Sequence, residues 1–115
     1  MGQYQDARRK YPRKRYDRPV KCITTSLMFD CWGINLSSGG VCMRSPVPLE
    51  NGDELALLIP IGNDDGEIII ALGKVVWSKD TEAGLNDFPV YTGIQFMAMA
   101  NKFRSQLDTL CLLPD

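Results

Sequence analysis

Histidine is absent from the 115 residues. That gap removes Ser-His and Cys-His nucleophile chemistry and every histidine-ligated metal centre. Cysteine occurs four times, as Cys22, Cys31, Cys42 and Cys111. These include no C-x-x-C pair and lack zinc-finger spacing, so they read as reduced, buried thiols of a cytoplasmic chain. No apolar run approaches the roughly 20 residues that a membrane-spanning helix needs. The opening Met1-Gly2-Gln3-Tyr4-Gln5-Asp6 lacks the basic-then-apolar layout of a signal peptide, and Asp6 stands where a myristoylation motif requires Ser or Thr. No carboxylate pair has distinctive spacing. Asp64-Asp65-Gly66-Glu67 departs from the calcium-loop pattern, and Asp80, Glu82 and Asp87 read as a solvated loop. The expectation is a chain with no catalytic residues, no metal and no cofactor.

What is present is ordinary globular composition, 44% hydrophobic and 23% charged, which excludes a wholly disordered chain. The length suits one domain. The net charge of −1 conceals a division along the chain. Residues 1–21 carry eight basic and two acidic side chains, a net +6, while the remainder carries five basic and twelve acidic, a net −7. A basic arm on an acidic body points either to an anionic partner or to an arm that folds back on its own domain.

From Pro19 onward the pattern is that of strands. Val20, Cys22 and Thr24 alternate with Lys21, Ile23 and Thr25. Further strands are predicted over 29–37, 41–45, 54–61, 67–78 and 90–97, separated by Ser37-Ser38-Gly39-Gly40, Asn51-Gly52-Asp53, Asn63-Asp64-Asp65-Gly66 and a polar 79–89 loop. Gly73 marks a bulge or bend within the long fifth strand. Six strands in about 80 residues argue an antiparallel barrel or sandwich. After Ala100 the period changes. Phe103, Leu107, Leu110 and Cys111 share one helical face over about 101–112, with Asn101 as a plausible N-cap and Pro114 as the stop. The predicted division is a basic arm over 1–18 and a barrel with its helix over 19–115.

Two constellations carry chemistry. In Arg9-Lys10-Tyr11-Pro12-Arg13, Pro12 biases Tyr11 away from helical dihedrals. An extended or turning arm then holds two guanidiniums four residues apart, each able to fork onto a phosphate or onto guanine O6 and N7. Taken alone, the same segment also reads as a solvated tail. In Asn35-Leu36-Ser37-Ser38-Gly39-Gly40, placing Ile34 and Leu36 in the core puts Asn35 and Ser37 outside. Asn35 can then donate to and accept from a base edge. Gly39 and Gly40 permit positive φ and close approach of backbone to a ligand, although a plain polar hairpin would use the same residues.

Together these resemble the PilZ family. The motifs are Arg9-x-x-x-Arg13 and Asn35-x-Ser37-x-x-Gly40, followed by Gly52-Asp53-Glu54-Leu55, Gly73-Lys74-Val75-Val76-Trp77 and Gly93-Ile94-Gln95-Phe96. The resemblance runs from about Arg8 to Leu112. It implies a six-stranded antiparallel PilZ-type β-barrel with a C-terminal α-helix and a flexible basic N-terminal arm, acting as a bacterial cyclic di-GMP receptor. Arg9 and Arg13 are then expected on guanine edges and phosphates, Asn35 on a guanine, Ser37 near base or phosphate, and Gly39 and Gly40 in the turn. Asn35 in place of the commoner Asp lies within the family pattern but gives up a carboxylate acceptor. Arg8 is a candidate for a second ligand molecule, and Trp77 for an aromatic wall, unless Trp77 is ordinary packing. The register Lys14-x-x-x-Arg18 begins with a lysine, which lacks the fork, and would place Asp17 in the grip, so the 9/13 register is preferred.

Output from a single such domain passes through a downstream effector protein or self-association. Competing expectations are a nucleic-acid-binding barrel, for which Tyr4, Tyr11 and Tyr16 interleave the basic run, and a ligand-free adaptor. The acidic body disfavours a polynucleotide track, and the intact motifs argue against the adaptor.

Overall fold

Alternation along the chain builds the strands, and breaks in that alternation aim the side chains that matter. The computed structural model describes residues 13–63, 66–80 and 88–113. Among the described residues, strands β1 (Lys14–Ile23), β2 (Met28–Leu36), β3 (Gly40–Ser45), β4 (Glu54–Pro60), β5 (Ile68–Asp80) and β6 (Val90–Met99) precede the helix α1 (Asn101–Leu112). All pairings are antiparallel, and the strands close into a barrel in the order β1-β2-β3-β6-β5-β4. The six-stranded barrel with a C-terminal helix is the fold expected from the sequence. The arm assigned to residues 1–18 lies outside the described residues as far as Pro12.

β1 opens at Lys14, so residues 14–18, expected in the arm, are strand: Lys14 pairs with Leu36 and Arg15 with Asn35. Their charge hides the period of two, because long basic stems can lie along a sheet while their heads stay in water. The register shifts between Arg15 and Arg18, where Asp17 takes a left-handed φ of 57°. Asp17 Oδ1 there accepts a 2.9 Å hydrogen bond from Trp32 Nε1, and the half-buried Tyr16 hydroxyl donates to the Pro60 carbonyl. The Tyr16 ring crosses Gly33 so closely that a Cβ there would meet its Cδ2 at 2.5 Å.

Inward residues such as Val20, Cys22, Leu57, Ile59 and Ile69 are fully buried and form the core. Leu107 and Cys111 of α1 join it, with Phe103 and Leu110 packed alongside, as the helical period predicted. The helix therefore closes the barrel end at which β2 stops, and the Cys111 thiol faces the Leu36 carbonyl at 3.9 Å. Asn101 is not the N-cap. Ala100 occupies that position with extended dihedrals and no side-chain cap bond, its carbonyl accepting from Phe103 and Arg104. Burial of one face, not capping, stabilises this helix. Leu113 is the C-cap, and Pro114 falls outside the described residues. Among the described residues no helix is long and apolar enough to cross a membrane.

Candidate ligand-binding site

The two motifs meet at the β1–β2 end of the barrel. The Arg13 guanidinium, just before β1, donates from Nη1 to Asn35 Oδ1 at 2.9 Å across 22 residues of sequence. Asn35 reaches this outer face by a route the alternation did not predict. Cys31 and Gly33 point inward, and so does Leu36, which no strict period of two allows. The register of β2 against β3 shifts between Gly33 and Asn35, leaving Ile34 as the extra residue of a bulge. Ile34 is accordingly absent from the core it was expected to share with Leu36, and the bulge, not Ile34, turns Asn35 outward.

Ser37 holds the turn. Its hydroxyl oxygen accepts from the Gly39 and Gly40 amides, both at 3.2 Å, while its own amide donates to the Gly40 carbonyl at 2.9 Å. Serine is the residue for this because a short hydroxyl can bond the backbone two and three residues onward. Neither Gly39 nor Gly40 uses the positive φ that glycine permits. Gly40 is needed for close approach instead: a Cβ would lie 2.1 Å from the Ile94 carbonyl oxygen of β6.

Cross-strand pairing extends the site over the barrel wall. Arg15 pairs with Asn35, Asn35 with Cys42, Cys42 with Gly93, and Gly93 with Trp77, one row on five strands. Directly paired residues project to the same face of a sheet. Trp77 joins this row through a second bulge, at Val76, where β5 shifts register against β6. Before the bulge Ala71 and Val75 are buried; after it the indole lies on the outer face, 40% exposed. The Thr92 hydroxyl donates to the Trp77 carbonyl at 3.0 Å and fixes the bulge from within. The indole spans Gly93, where a Cβ would lie 2.2 Å from Nε1, and its ring centroid is 6.2 Å from that of Tyr91.

The result is a shelf. Small Cys42 makes its floor, Arg13 and Asn35 one side, and the Trp77 indole, lying over Gly93, the other. Asn35 and Trp77 are three strand spacings apart, or about 14 Å between backbones. Along one border runs the neighbouring row Pro19, Trp32, Arg44, Tyr91 and Lys79. The Arg44 guanidinium lies over the Tyr91 ring at 4.9 Å. The structure brings the expected Arg13, Asn35 and Trp77 to one face together with Cys42, Gly93, Arg44 and Tyr91, which the sequence did not single out. A small residue at the outward position of Cys42 was the available signal for a floor, and Gly93 the signal for a ring laid across it. Arg8 and Arg9 lie outside the described residues.

The alternative register Lys14-x-x-x-Arg18 is engaged elsewhere. Lys14 Nζ donates to the Leu113 carbonyl at 3.2 Å and Arg18 Nη1 to the Gly62 carbonyl at 2.8 Å. On the helix side of the Ser38–Gly39 turn a groove of about 530 Å³ runs between Gln95 and Phe96 of β6 and Arg104, Asp108 and Leu112 of α1. Arg104 Nη1 donates across it to the Ser38 carbonyl, tying helix to turn.

The family model of the PilZ domain matches residues 7–113, and the chain belongs to that family. Solved structures with the same fold include the Bacillus subtilis inhibitor of motility (MotI/DgrA), at 17% identity and a TM-score of 0.75, over 91% of this chain and 50% of that one. The PilZ domain of YcgR from Escherichia coli with c-di-GMP aligns at 18% identity and a TM-score of 0.65, over 90% and 88%. The K. pneumonia MrkH–c-di-GMP complex aligns at 16% identity and a TM-score of 0.69, over 91% and 51%. This chain thus spans about half the length of MotI/DgrA and of MrkH. No curated protein sequence matches it.

Proposed function

We propose that this chain is a bacterial, cytoplasmic receptor for cyclic di-GMP, not an enzyme, and that it binds the dinucleotide through the R-x-x-x-R and N-x-S-x-x-G motifs. The observation that carries the reading is the hydrogen bond from Arg13 to Asn35, which joins the two motifs at the edge of one shelf. Cyclic di-GMP carries two guanines and two phosphodiesters. The shelf offers a donor–acceptor amide in Asn35, a forked cation in Arg13 and an aromatic face in Trp77, which suit a base edge, a phosphate or guanine edge, and a base face in turn. Arg9 closes the grip from the arm, and Arg8 reaches a second ligand molecule. Ser37, Gly39 and Gly40 act mainly by shaping the turn that presents Asn35. Support also comes from the ligand named with the YcgR and MrkH structures.

Binding orders the arm, and the ordered arm presents a new surface to a downstream effector protein. Calorimetric titration with cyclic di-GMP tests the reading, with GTP as the control ligand and Arg13→Ala beside the parent. Saturable binding, lost in Arg13→Ala and absent with GTP, is expected. A stoichiometry of two ligands per chain supports the role given to Arg8. A folded protein that takes up no cyclic di-GMP at high micromolar concentration overturns the reading, and single-stranded nucleic acid is then the next ligand class to titrate.

A further inference from the structure

Arg44 belongs to none of the motifs, yet it stands at the middle of the shelf's border. On β3 it is two residues beyond the floor residue Cys42, and it pairs with Trp32 on one side and Tyr91 on the other. It is therefore diagonal to Asn35 and one strand short of the strand-pair that carries Trp77. The guanidinium is stacked on Tyr91, 4.9 Å from the ring centroid, and its Nη1 is buried without a hydrogen-bond partner. No ion pair of Arg44 occurs among the described residues. A structural arginine at a sheet surface either reaches water or pairs with a carboxylate. Leaving a buried charged donor unsatisfied is costly and calls for an explanation. Stacking on an aromatic face leaves the edge of the guanidinium plane free to bond an anion.

Resting on the cyclic di-GMP reading, we infer that Arg44, held by Tyr91, takes a phosphodiester of the ligand. Asn35 and Trp77 stand at the two ends of the row and suit the two bases. The sugar–phosphate ring that joins those bases then crosses Cys42, between Asn35 and the indole that lies over Gly93, beside Arg44. A phosphate oxygen there accepts from the edge of the half-buried guanidinium that the Tyr91 stack leaves uncovered. Tyr91 acts through Arg44 and is a positioning residue; its ring is what the stack requires, so a phenylalanine serves equally.

The test titrates cyclic di-GMP into Arg44→Gln, Arg44→Lys, Tyr91→Leu, Tyr91→Phe and Arg13→Ala at two salt concentrations, with folding of each variant verified by circular dichroism. Loss of one charge-assisted bond predicts a 10- to 100-fold weaker affinity for Arg44→Gln, an order-of-magnitude expectation. Its binding is also expected to depend less steeply on salt than the parent's. Arg44→Lys regains part of the affinity and the parental salt dependence, Tyr91→Leu weakens binding, and Tyr91→Phe does not. Parental affinity in folded Arg44→Gln, with Arg13→Ala dead, overturns the assignment of Arg44 and leaves the receptor reading standing. Weakened binding with unchanged salt dependence also overturns it, since the arginine then acts by packing alone. If the parent itself binds nothing, the receptor reading fails and this inference with it.

Discussion

Gly40 and Gly93 sit one strand apart, both forbidden to carry a side chain, but what blocks them differs. At Gly40 the obstacle is the Ile94 carbonyl, 2.1 Å from a built Cβ and part of the β6 backbone. A backbone atom in a closed ladder cannot step aside without parting β3 from β6. Gly40→Ala is therefore expected to destabilise at or above the upper end of the roughly 1–3 kcal/mol typical of overpacking. At Gly93 the obstacle is the Trp77 indole, 2.2 Å away, which is partly exposed and can swing outward. Gly93→Ala is expected to cost less stability while moving the indole off the shelf, which changes tryptophan emission and weakens cyclic di-GMP binding. Urea unfolding midpoints and emission spectra of the two variants check this. Equal destabilisation with an unchanged spectrum would show that Trp77 does not lie across Gly93. Ser37 acts on the same scale, by accepting two amides, and the sequence pattern could mark it without revealing whether it faces ligand or backbone.

Elements were legible where one period held throughout. Leu107 and Cys111 followed the helical spacing into the core, and Val20 with Cys22 followed the strand spacing. The spacing failed at single inserted residues. Ile34 on β2 and Val76 on β5 each reverse the alternation, and those reversals put Asn35 and Trp77 on one outer row. A bulge is set by pairing with another strand, so a period read along one strand cannot reveal it. The β1 irregularity at Tyr16 and Asp17 has a consequence in alkali. Burial pushes the Tyr16 phenol up from 10.0 to about 12, opposed by the positive charge of Arg18. A raised value means the folded state favours the protonated phenol. That contribution is whole below about pH 10 and is lost as the pH climbs through about 12. Spectrophotometric titration at the phenolate band is expected to show a late-ionising tyrosine, and Tyr16→Phe to remove that late step and flatten the alkaline fall in stability. A titration with no late tyrosine in the parent would refute it.

At the scale of the whole barrel, the site row uses β1, β2, β3, β6 and β5 and leaves β4 out. β4 also borders the shortest seam: of β1, Lys21, Cys22 and Ile23 pair with it, whereas β5 and β6 pair from Ala71–Met99 to Asp80–Val90. A barrel has no edge strand to fray, so opening must begin where fewest ladder bonds are broken. Amide hydrogen exchange in the free protein is accordingly expected to be fastest along β1–β4 and slowest along β5–β6. The charge division points the same way. The −7 carried beyond residue 21 repels a long polyanion, while Arg13, Arg15 and Arg44 gather cationic groups on and beside the shelf. A small dianion covering that shelf runs over β2, β3 and β6 to Trp77 on β5 without touching the seam. Cyclic di-GMP is therefore expected to slow exchange in β2, β3, β6 and the Trp77 end of β5 and to leave β4 at its free rate, measured by mass spectrometry with and without saturating ligand. Protection centred on β4, or spread evenly over all six strands, would mean that the ligand does not lie on the row from Asn35 to Trp77. Protection confined to the row, lost in Arg13→Ala, is the pattern this architecture requires, because the bulges in β2 and β5 put Asn35 and Trp77 at its two ends and the ligand lies on the strands from one to the other.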